Sequence, residues 1–167
     1  MPITGLLHVA IKTEDLESTV AFYTRLLGLR LVHRPDFGYP GAWIAVPTPV
    51  GEAVIHIYAG GPALGSEGKV VPHTGAIDHV SVTAVGWQSF RDRFARAGLP
   101  WREFLVPATT YWQQFIYDPS GVQIELTFDA DAEGIPVPGI PDAMRYKAGD
   151  SFFDRARYRN LSARLAA

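Results

Sequence analysis

Four ionisable side chains, His8, His56, His79 and Glu125, stand at matching positions in two similar stretches of the sequence. His79 follows His8, and Glu125 follows His56, after about 70 positions in both pairs, as expected of an internal repeat. Each alternates with apolar neighbours, as in "LLHVAI", "IDHVSV" and "VQIELTF". Because side chains alternate between the faces of a strand, we expect the four to converge if two curved sheets face each other around a cleft.

A metal ion is the chemistry that this set favours. A buried Glu125 without partners would cost several kcal/mol, and neutral imidazoles supply little compensating charge, whereas a divalent cation supplies it. Two imidazoles and one carboxylate form the facial triad of non-haem Fe(II) sites and also suit Mn²⁺, Ni²⁺ or Zn²⁺. We predict His8, His79 and Glu125 as ligands, with Fe²⁺ preferred. His56 is either a fourth ligand or a residue that contacts a ligand or the substrate.

The elements that position these residues form a repeated unit. "LLHVAIKTEDLESTVAFYTRLLGL" and "AIDHVSVTAVGWQSFRDRFARAGL" each predict a strand and an amphipathic helix that ends at glycine, and three strand-like runs follow each helix. We predict an α+β fold of two tandem βαβββ modules whose curved mixed sheets surround a metal-binding cleft. The predicted segments are a first module (1–62), a Gly- and Pro-rich linker (63–74), a second module (75–130) and a C-terminal tail with a short helix (131–167).

Composition narrows the classes of partner. The 167 residues contain 15 Lys and Arg against 17 Asp and Glu, and no cysteine. Without a run of one charge we expect neither nucleic acid nor a membrane surface as partner, and without cysteine disulfides and thiolate sites are excluded. No stretch approaches the ~20 apolar residues of a membrane span, and no signal segment is recognised, so a cytoplasmic location is expected.

With its paired modules, its two histidine-containing first strands and the final turn and strand "DPSGVQIELTF", the sequence resembles the vicinal oxygen chelate superfamily. That superfamily includes glyoxalase I, extradiol ring-cleaving dioxygenases, fosfomycin-resistance transferases and metal-free bleomycin-binding proteins. The resemblance covers about residues 3 to 130. It implies that His8, His79 and Glu125 ligate a divalent cation.

The resemblance also ranks the reactions. Glyoxalase I usually has glutamate at the position of His56, so the three-ligand members, among them the ring-cleaving dioxygenases, fit better. Those dioxygenases usually carry a catalytic tyrosine ten residues before the ligand glutamate, where this chain has Phe115. They also use an acid/base histidine from the second half. We consider Tyr111 and His73 as substitutes for these two catalytic groups.

Five side chains are predicted to contact the substrate: Trp43, Tyr58, Tyr111, Gln113 and Phe115. They indicate a small, largely apolar and aromatic ligand with one or two oxygens on the metal, although ordinary strand packing would explain each of them. Three functions are therefore open: a ring-cleaving dioxygenase, which is preferred; a glyoxalase- or epimerase-like lyase or isomerase; and a metal-free binding protein of the resistance type. A homodimer is expected in each case.

Two charged residues of the second module, Asp78 and Arg91, are predicted to have structural roles only. Asp78 should lie on the opposite face of its strand from His79, where a cap or a loop hydrogen bond would satisfy it. Arg91 should belong to a solvated face of the second helix, together with Asp92 and two further arginines.

Overall fold

The secondary structure comes from a computed structural model that describes residues 7–48, 51–64, 68–72 and 74–166. Its strands are β1 (His8–Lys12), β2 (Arg30–Val32), β3 (Gly41–Thr48), β4 (Gly51–Tyr58), β5 (Val80–Thr83), β6 (Trp101–Leu105), β7 (Tyr111–Tyr117) and β8 (Gln123–Asp129). Its α-helices are α1 (Leu16–Ala21), α2 (Gly61–Leu64), α3 (Trp87–Arg96), α4 (Ala130–Glu133) and α5 (Leu161–Arg164). A π-helical turn (Phe22–Leu26) extends α1, and two 3-10 turns (Asp142–Met144, Arg155–Tyr158) lie near the C-terminus.

The strands form two four-stranded sheets with the same connectivity. The first sheet has the order β1-β4-β3-β2 and the second the order β5-β8-β7-β6. In each, the first strand runs parallel to the fourth and the other neighbours are antiparallel. Each sheet also carries one helix between its first and second strands. This arrangement is the βαβββ module twice over, and it confirms the predicted α+β class.

The chain divides into two compact units. Unit 1 comprises Met1–Pro72 together with Asn160–Ala167, and unit 2 comprises His73–Arg159. The segment that was predicted as a separate tail is thus shared: its larger part belongs to unit 2, and α5 belongs to unit 1. There α5 packs on α1, and Arg25 Nη1 donates to the carbonyl oxygen of Ser162 (3.1 Å).

Unit 1 has a core that the helix and the sheet build together. Asp15 begins α1 by accepting a hydrogen bond from the backbone N–H of Ser18 (2.9 Å), which satisfies one of the free donors at the helix start. The helix and its π-helical extension then bury Phe22, Tyr23 and Leu26. The buried sheet residues of this unit are Ile11, Ala42, Ile44, Ala45, Ile55 and Ile57.

Unit 2 has an aromatic core. Trp87, at the start of α3, packs edge-to-face on Trp112 (ring centroids 5.7 Å apart) and on Phe128 (5.3 Å). Phe90 and Phe94 on the same helix are buried, as their helical spacing predicts. Such aromatic pairs contribute about 0.5–1.5 kcal/mol each beyond the area that they bury. This apolar layer leaves the other face of the sheet for polar side chains.

A carboxylate from another element caps α3. Gly86 precedes the helix and has no side chain to act as a cap, and the backbone N–H groups of Gly86 and Trp87 donate instead to Glu133 (2.8 and 2.7 Å). A negative charge at a helix N-terminus is stabilised by the helix dipole. Glu133 therefore connects the end of β8 to the helix that covers the same sheet.

After α4, residues 134–159 run along unit 2 and are called the arm. Glu103 is 1% exposed and accepts from Arg91 Nε (2.7 Å), Arg91 Nη2 (2.5 Å) and Trp101 Nε1 (2.8 Å). Arg91 also donates to the carbonyl oxygen of Gly139 (3.0 Å), and the Tyr146 N–H donates to the Glu103 carbonyl oxygen (2.9 Å). The prediction of a solvated Arg91 is wrong, because this side chain neutralises a buried carboxylate on β6 and fastens the arm.

No helix in the described part of the chain is long and apolar enough to cross a membrane.

Candidate functional site

The register of the parallel strand pairs places the four predicted residues in equivalent positions. In unit 1 the β1/β4 pairing sets Ala10 beside His56, with His8 two residues earlier. In unit 2 the β5/β8 pairing sets Ser81 beside Glu125, and His79 again lies two residues earlier, immediately before β5. The internal repeat inferred from the sequence is therefore also a repeat in three dimensions.

Glu125 is held firmly on one side. It is 6% exposed, and its Oε1 accepts from Ser81 Oγ (2.5 Å) and from Thr127 Oγ1 (2.6 Å). Ser81 pairs with Glu125 across β5 and β8, and Thr127 lies two residues after Glu125, so strand alternation places both hydroxyls on its face. With Oε1 engaged, Oε2 is the oxygen that remains for another partner, and it lies 3.3 Å from His79 Nε2.

Asp78 orients His79 from the other side. Its Oδ1 lies 2.7 Å from His79 Nδ1, so the prediction that Asp78 turns away from the imidazole is wrong. The reason is that β5 begins at Val80, which leaves residues 78 and 79 outside the strict alternation of the strand. The hydrogen bond from His79 holds the pKa of Asp78 below its ordinary value, and one from Tyr146 lowers it further.

This arrangement fits a divalent cation. An ionised Asp78 can only accept, so a neutral His79 that donates Nδ1–H to it turns the lone pair of Nε2 toward Glu125 Oε2. Two lone pairs that face each other repel, unless a second proton or a cation lies between them. Two adjacent ligand atoms about 2.1 Å from one ion lie roughly 3.0–3.4 Å apart, which matches the observed 3.3 Å separation. A carboxylate behind a ligating histidine is also the common supporting arrangement at metal sites.

In unit 1 the position equivalent to Glu125 is His56, and its surroundings are aromatic. The His56 ring is stacked on Trp43 (centroids 4.5 Å apart, planes at 4°) and on His8 (4.1 Å, 14°). Burial lowers the pKa of His56, and the nearby His8 and Arg34 lower it further. A lowered pKa favours the neutral imidazole, which is the form that binds metal ions.

The predicted ligands thus fall into two pairs, His8 with His56 in unit 1 and His79 with Glu125 in unit 2. Within either unit, the described residues contain no group of three or more His, Cys, Asp or Glu side chains that could hold a metal ion. The predicted three-residue set would therefore draw on both units, and it stays a prediction. His73, the candidate for an acid/base role, lies outside the described residues.

The predicted substrate-contacting residues lie on the same faces as these ligands. Trp43 pairs with His56 across β3 and β4, and Tyr58 follows two residues after His56 on β4. Phe115 pairs with Glu125 across β7 and β8, and Gln113 pairs with Thr127. Tyr111, also the catalytic candidate, is 52% exposed at the start of β7, whereas Phe115 is 2% exposed.

Phe115 is covered by a residue that was not predicted from the sequence to belong to the site. Tyr146 of the arm is stacked on it, with ring centroids 3.7 Å apart and planes at 9°. The Tyr146 hydroxyl donates to Asp78 Oδ1 (3.2 Å) and accepts from Gln123 Nε2 (3.4 Å). Because the arm follows the repeated modules and has no counterpart in the first half, no repeat or motif could have indicated this position.

Fold and site together define a protein of two βαβββ modules in which His79 and Glu125 form a close pair. Residues 5–126 match the family model of the Glyoxalase/Bleomycin resistance protein/Dioxygenase superfamily, and the chain belongs to that superfamily, as its resemblance to the vicinal oxygen chelate proteins predicted. The arm lies beyond the matched residues.

Among individual proteins, the chain is similar to the lactoylglutathione lyase of Escherichia coli O157:H7, at 27% identity over 76% of this chain and 94% of the lyase. It is 26% identical to the uncharacterized protein PA2024 of Pseudomonas aeruginosa, over 80% of this chain and 97% of that protein. A glyoxalase family protein from Bacillus anthracis has the same fold, with a TM-score of 0.59 and 18% identity over 76% of this chain and 96% of that protein. A fosfomycin resistance protein from Listeria monocytogenes also has this fold, with a TM-score of 0.57 and 18% identity over 75% of this chain and 93% of that protein.

Proposed function

We propose that this protein is a divalent-metal enzyme that binds a small substrate through two adjacent oxygens. His8, His79 and Glu125 would hold the cation, with Fe²⁺ preferred over Mn²⁺, Ni²⁺ or Zn²⁺, and His56 would be a fourth ligand or contact the substrate. The observation that carries the proposal is the 3.3 Å approach of His79 Nε2 to Glu125 Oε2. With His79 neutral and its Nδ1–H donated to Asp78, both atoms of this approach would present lone pairs, and both groups are fixed from behind.

The preferred reaction is oxidative cleavage of an aromatic ring. Two histidines and one carboxylate are the ligand set of non-haem Fe(II) oxygenases, which leaves open positions for a substrate and for O₂. In unit 2 the Oε1 atom of Glu125 is occupied by two hydroxyl donors, and this favours a fixed ligand over a mobile general base. The bound cation would supply Lewis acidity to the adjacent oxygens of the substrate.

The side chains proposed to contact the substrate would bind and orient it. Trp43 and Tyr58, like Tyr111 and Gln113, would offer flat apolar surfaces and a few polar atoms to an aromatic substrate. Phe115 is 2% exposed and stacked on Tyr146, so it would support the site from within the core of unit 2. Asp78 would keep the imidazole of His79 in a single orientation, which limits the cost of ordering the ligand when the cation binds.

Metal content is the first test. Protein purified without added metal, and protein reconstituted with Fe²⁺ under anaerobic conditions, would be compared for His79→Ala, Glu125→Gln and the wild type by elemental analysis. Both variants should lose the metal and keep the fold. A matched control is Glu52→Gln, because Glu52 is a half-exposed carboxylate that pairs with Arg30 at the surface. Equal metal content in all four proteins would overturn the proposed ligand set.

Oxygen consumption is the second test. The reconstituted enzyme should consume O₂ with at least one member of a catechol panel, and His79→Ala should not. If the metal binds but no catechol supports oxygen uptake, ring cleavage is excluded and the metal site stands.

A glyoxalase- or epimerase-like lyase or isomerase is the second candidate, favoured by the 27% identity to lactoylglutathione lyases. Here a cavity group would move a proton next to a metal-bound carbonyl. The hemithioacetal of glutathione and methylglyoxal, the isomer of lactoylglutathione, is a suitable probe: its turnover with Ni²⁺, Co²⁺ or Zn²⁺ that is indifferent to oxygen would establish this reaction. A metal-free binding protein would instead retain an aromatic ligand after His79→Ala.

We also propose a homodimer, which sedimentation of the purified protein would test.

A further inference from the structure

The arm reaches the site through a chain of contacts that lies wholly inside unit 2. The Tyr146 hydroxyl donates to Asp78 Oδ1 (3.2 Å), and the same Oδ1 accepts from His79 Nδ1 (2.7 Å). His79 Nε2 then faces Glu125 Oε2 (3.3 Å). Tyr146, which lies beyond the repeated modules, is thus connected to the proposed metal ligands through one carboxylate oxygen of Asp78.

Tyr146 is well fixed for such a role. Its ring is stacked on the buried Phe115 (3.7 Å), its backbone N–H donates to the Glu103 carbonyl oxygen (2.9 Å), and its hydroxyl oxygen accepts from Gln123 Nε2 (3.4 Å). A phenol has one proton to donate. Since Gln123 supplies a hydrogen bond to the oxygen, the single proton of Tyr146 is directed to Asp78.

Asp78 needs this support because it is exposed. Its side chain is 59% accessible, and an exposed carboxylate has several rotamers of similar energy. A hydrogen bond from a fixed phenol selects the rotamer in which Oδ1 also meets His79 Nδ1. The Nδ1–H tautomer of His79 is then favoured, and its Nε2 lone pair stays directed toward Glu125.

We infer that Tyr146 is a positioning residue of the site, which fixes Asp78 and thereby the orientation and tautomer of His79. The inference rests on the proposed metal-binding function for its consequence, while the effect on the imidazole is a property of the metal-free chain. It also gives the arm, which lies outside the matched family region, a role in the active site.

The decisive experiment measures the imidazole directly. Full-length protein labelled with ¹⁵N-histidine, metal-free at about pH 8, where imidazoles are ordinarily neutral, gives the tautomer of each histidine from long-range ¹H–¹⁵N spectra. His79 is assigned by its absence in His79→Ala. Among the neutral forms of His79 the wild type should favour the Nδ1–H tautomer, and Tyr146→Phe should shift the balance toward the Nε2–H tautomer. Tyr146→Phe keeps the ring that stacks on Phe115, so folding should be preserved.

Arg145→Ala is the matched control, because Arg145 is the preceding residue of the arm and its side chain pairs with Asp142 at the surface. It should leave the His79 tautomer as in the wild type. In parallel, Co²⁺ titration followed by visible absorption should show roughly three- to tenfold weaker binding for Tyr146→Phe. This loss is below the 10–100-fold typical of a residue that touches the ligand itself, because Asp78 still reaches His79.

The outcomes separate the two proposals. If Co²⁺ does not bind the wild type, the proposed metal function fails, and a tautomer shift in Tyr146→Phe still supports the positioning role. If Co²⁺ binds and Tyr146→Phe leaves the tautomer unchanged, the positioning role is overturned, whatever happens to the affinity. A tautomer shift of equal size in Arg145→Ala would also overturn it, because any disturbance of the arm would then be sufficient.

Discussion

Replacing Arg91 by leucine should destabilise unit 2 more than any ordinary surface substitution. Glu103 is 1% exposed, and Arg91 supplies two of the three side-chain hydrogen bonds that its carboxylate accepts. Without Arg91 the carboxylate is left buried with the Trp101 N–H and no compensating charge. Loss of one partner of a buried ion pair costs about 3–5 kcal/mol.

The lower end of that range applies here, since the Arg91 side chain is 21% exposed and water can take up part of its role. About 3 kcal/mol in a chain of this size corresponds to a fall in Tm of roughly 6–12 °C. Thermal unfolding followed by circular dichroism measures it. Arg96→Leu, at an exposed position of the same helix, is the control and should stay within about 0.5 kcal/mol.

A second variant identifies the cause. Arg91→Leu combined with Glu103→Gln removes the orphaned charge and keeps an oxygen for the Trp101 N–H, so it should recover at least half of the lost stability. Limited proteolysis should also cut the arm faster in Arg91→Leu, because the hydrogen bond to the Gly139 carbonyl is lost with the guanidinium. The reasoning is refuted if Arg91→Leu melts no earlier than Arg96→Leu.

Three further substitutions test separate parts of the structure. Asp78→Ala should weaken Co²⁺ binding about 10–100-fold with little change in Tm, and an unchanged dissociation constant would remove Asp78 from the site. Glu133→Ala should cost about 1–2 kcal/mol in denaturant unfolding, because two N–H donors of α3 lose their carboxylate cap. Gly41→Ala should prevent folding or lower Tm strongly, because a Cβ at this position would overlap the carbonyl oxygen of Ile57, whereas Gly61→Ala meets open space and should be nearly neutral.

The repeat made much of the fold predictable. Two histidine-bearing strands, each followed by a helix that ends at glycine and three more strands, were sufficient to predict the two βαβββ modules. The equivalence of His8 with His79 and of His56 with Glu125 then follows from the strand registers. Periodicity and repetition are properties of local sequence, and they carry this information directly.

The parts that were missed depend on contacts that the period of a strand or a helix does not encode. Arg91 was expected in water because its helix neighbours are charged, while its true partner Glu103 stands on the next strand. Asp78 was assigned by alternation, which holds only from Val80, where β5 begins. Tyr146 reaches Asp78 across 68 positions, and no local pattern encodes such a meeting.

The shared tail has a consequence for the order in which the protein is made. Unit 2 is one continuous stretch of chain, His73–Arg159, whereas unit 1 needs residues from both sides of it. During synthesis the first module therefore emerges early but lacks α5, which packs on α1 only after the whole second module has been translated. Unit 2 can thus fold from one continuous stretch of chain, whereas unit 1 is complete only after Asn160–Ala167 has joined it, so that the half made first is the half completed by the last residues.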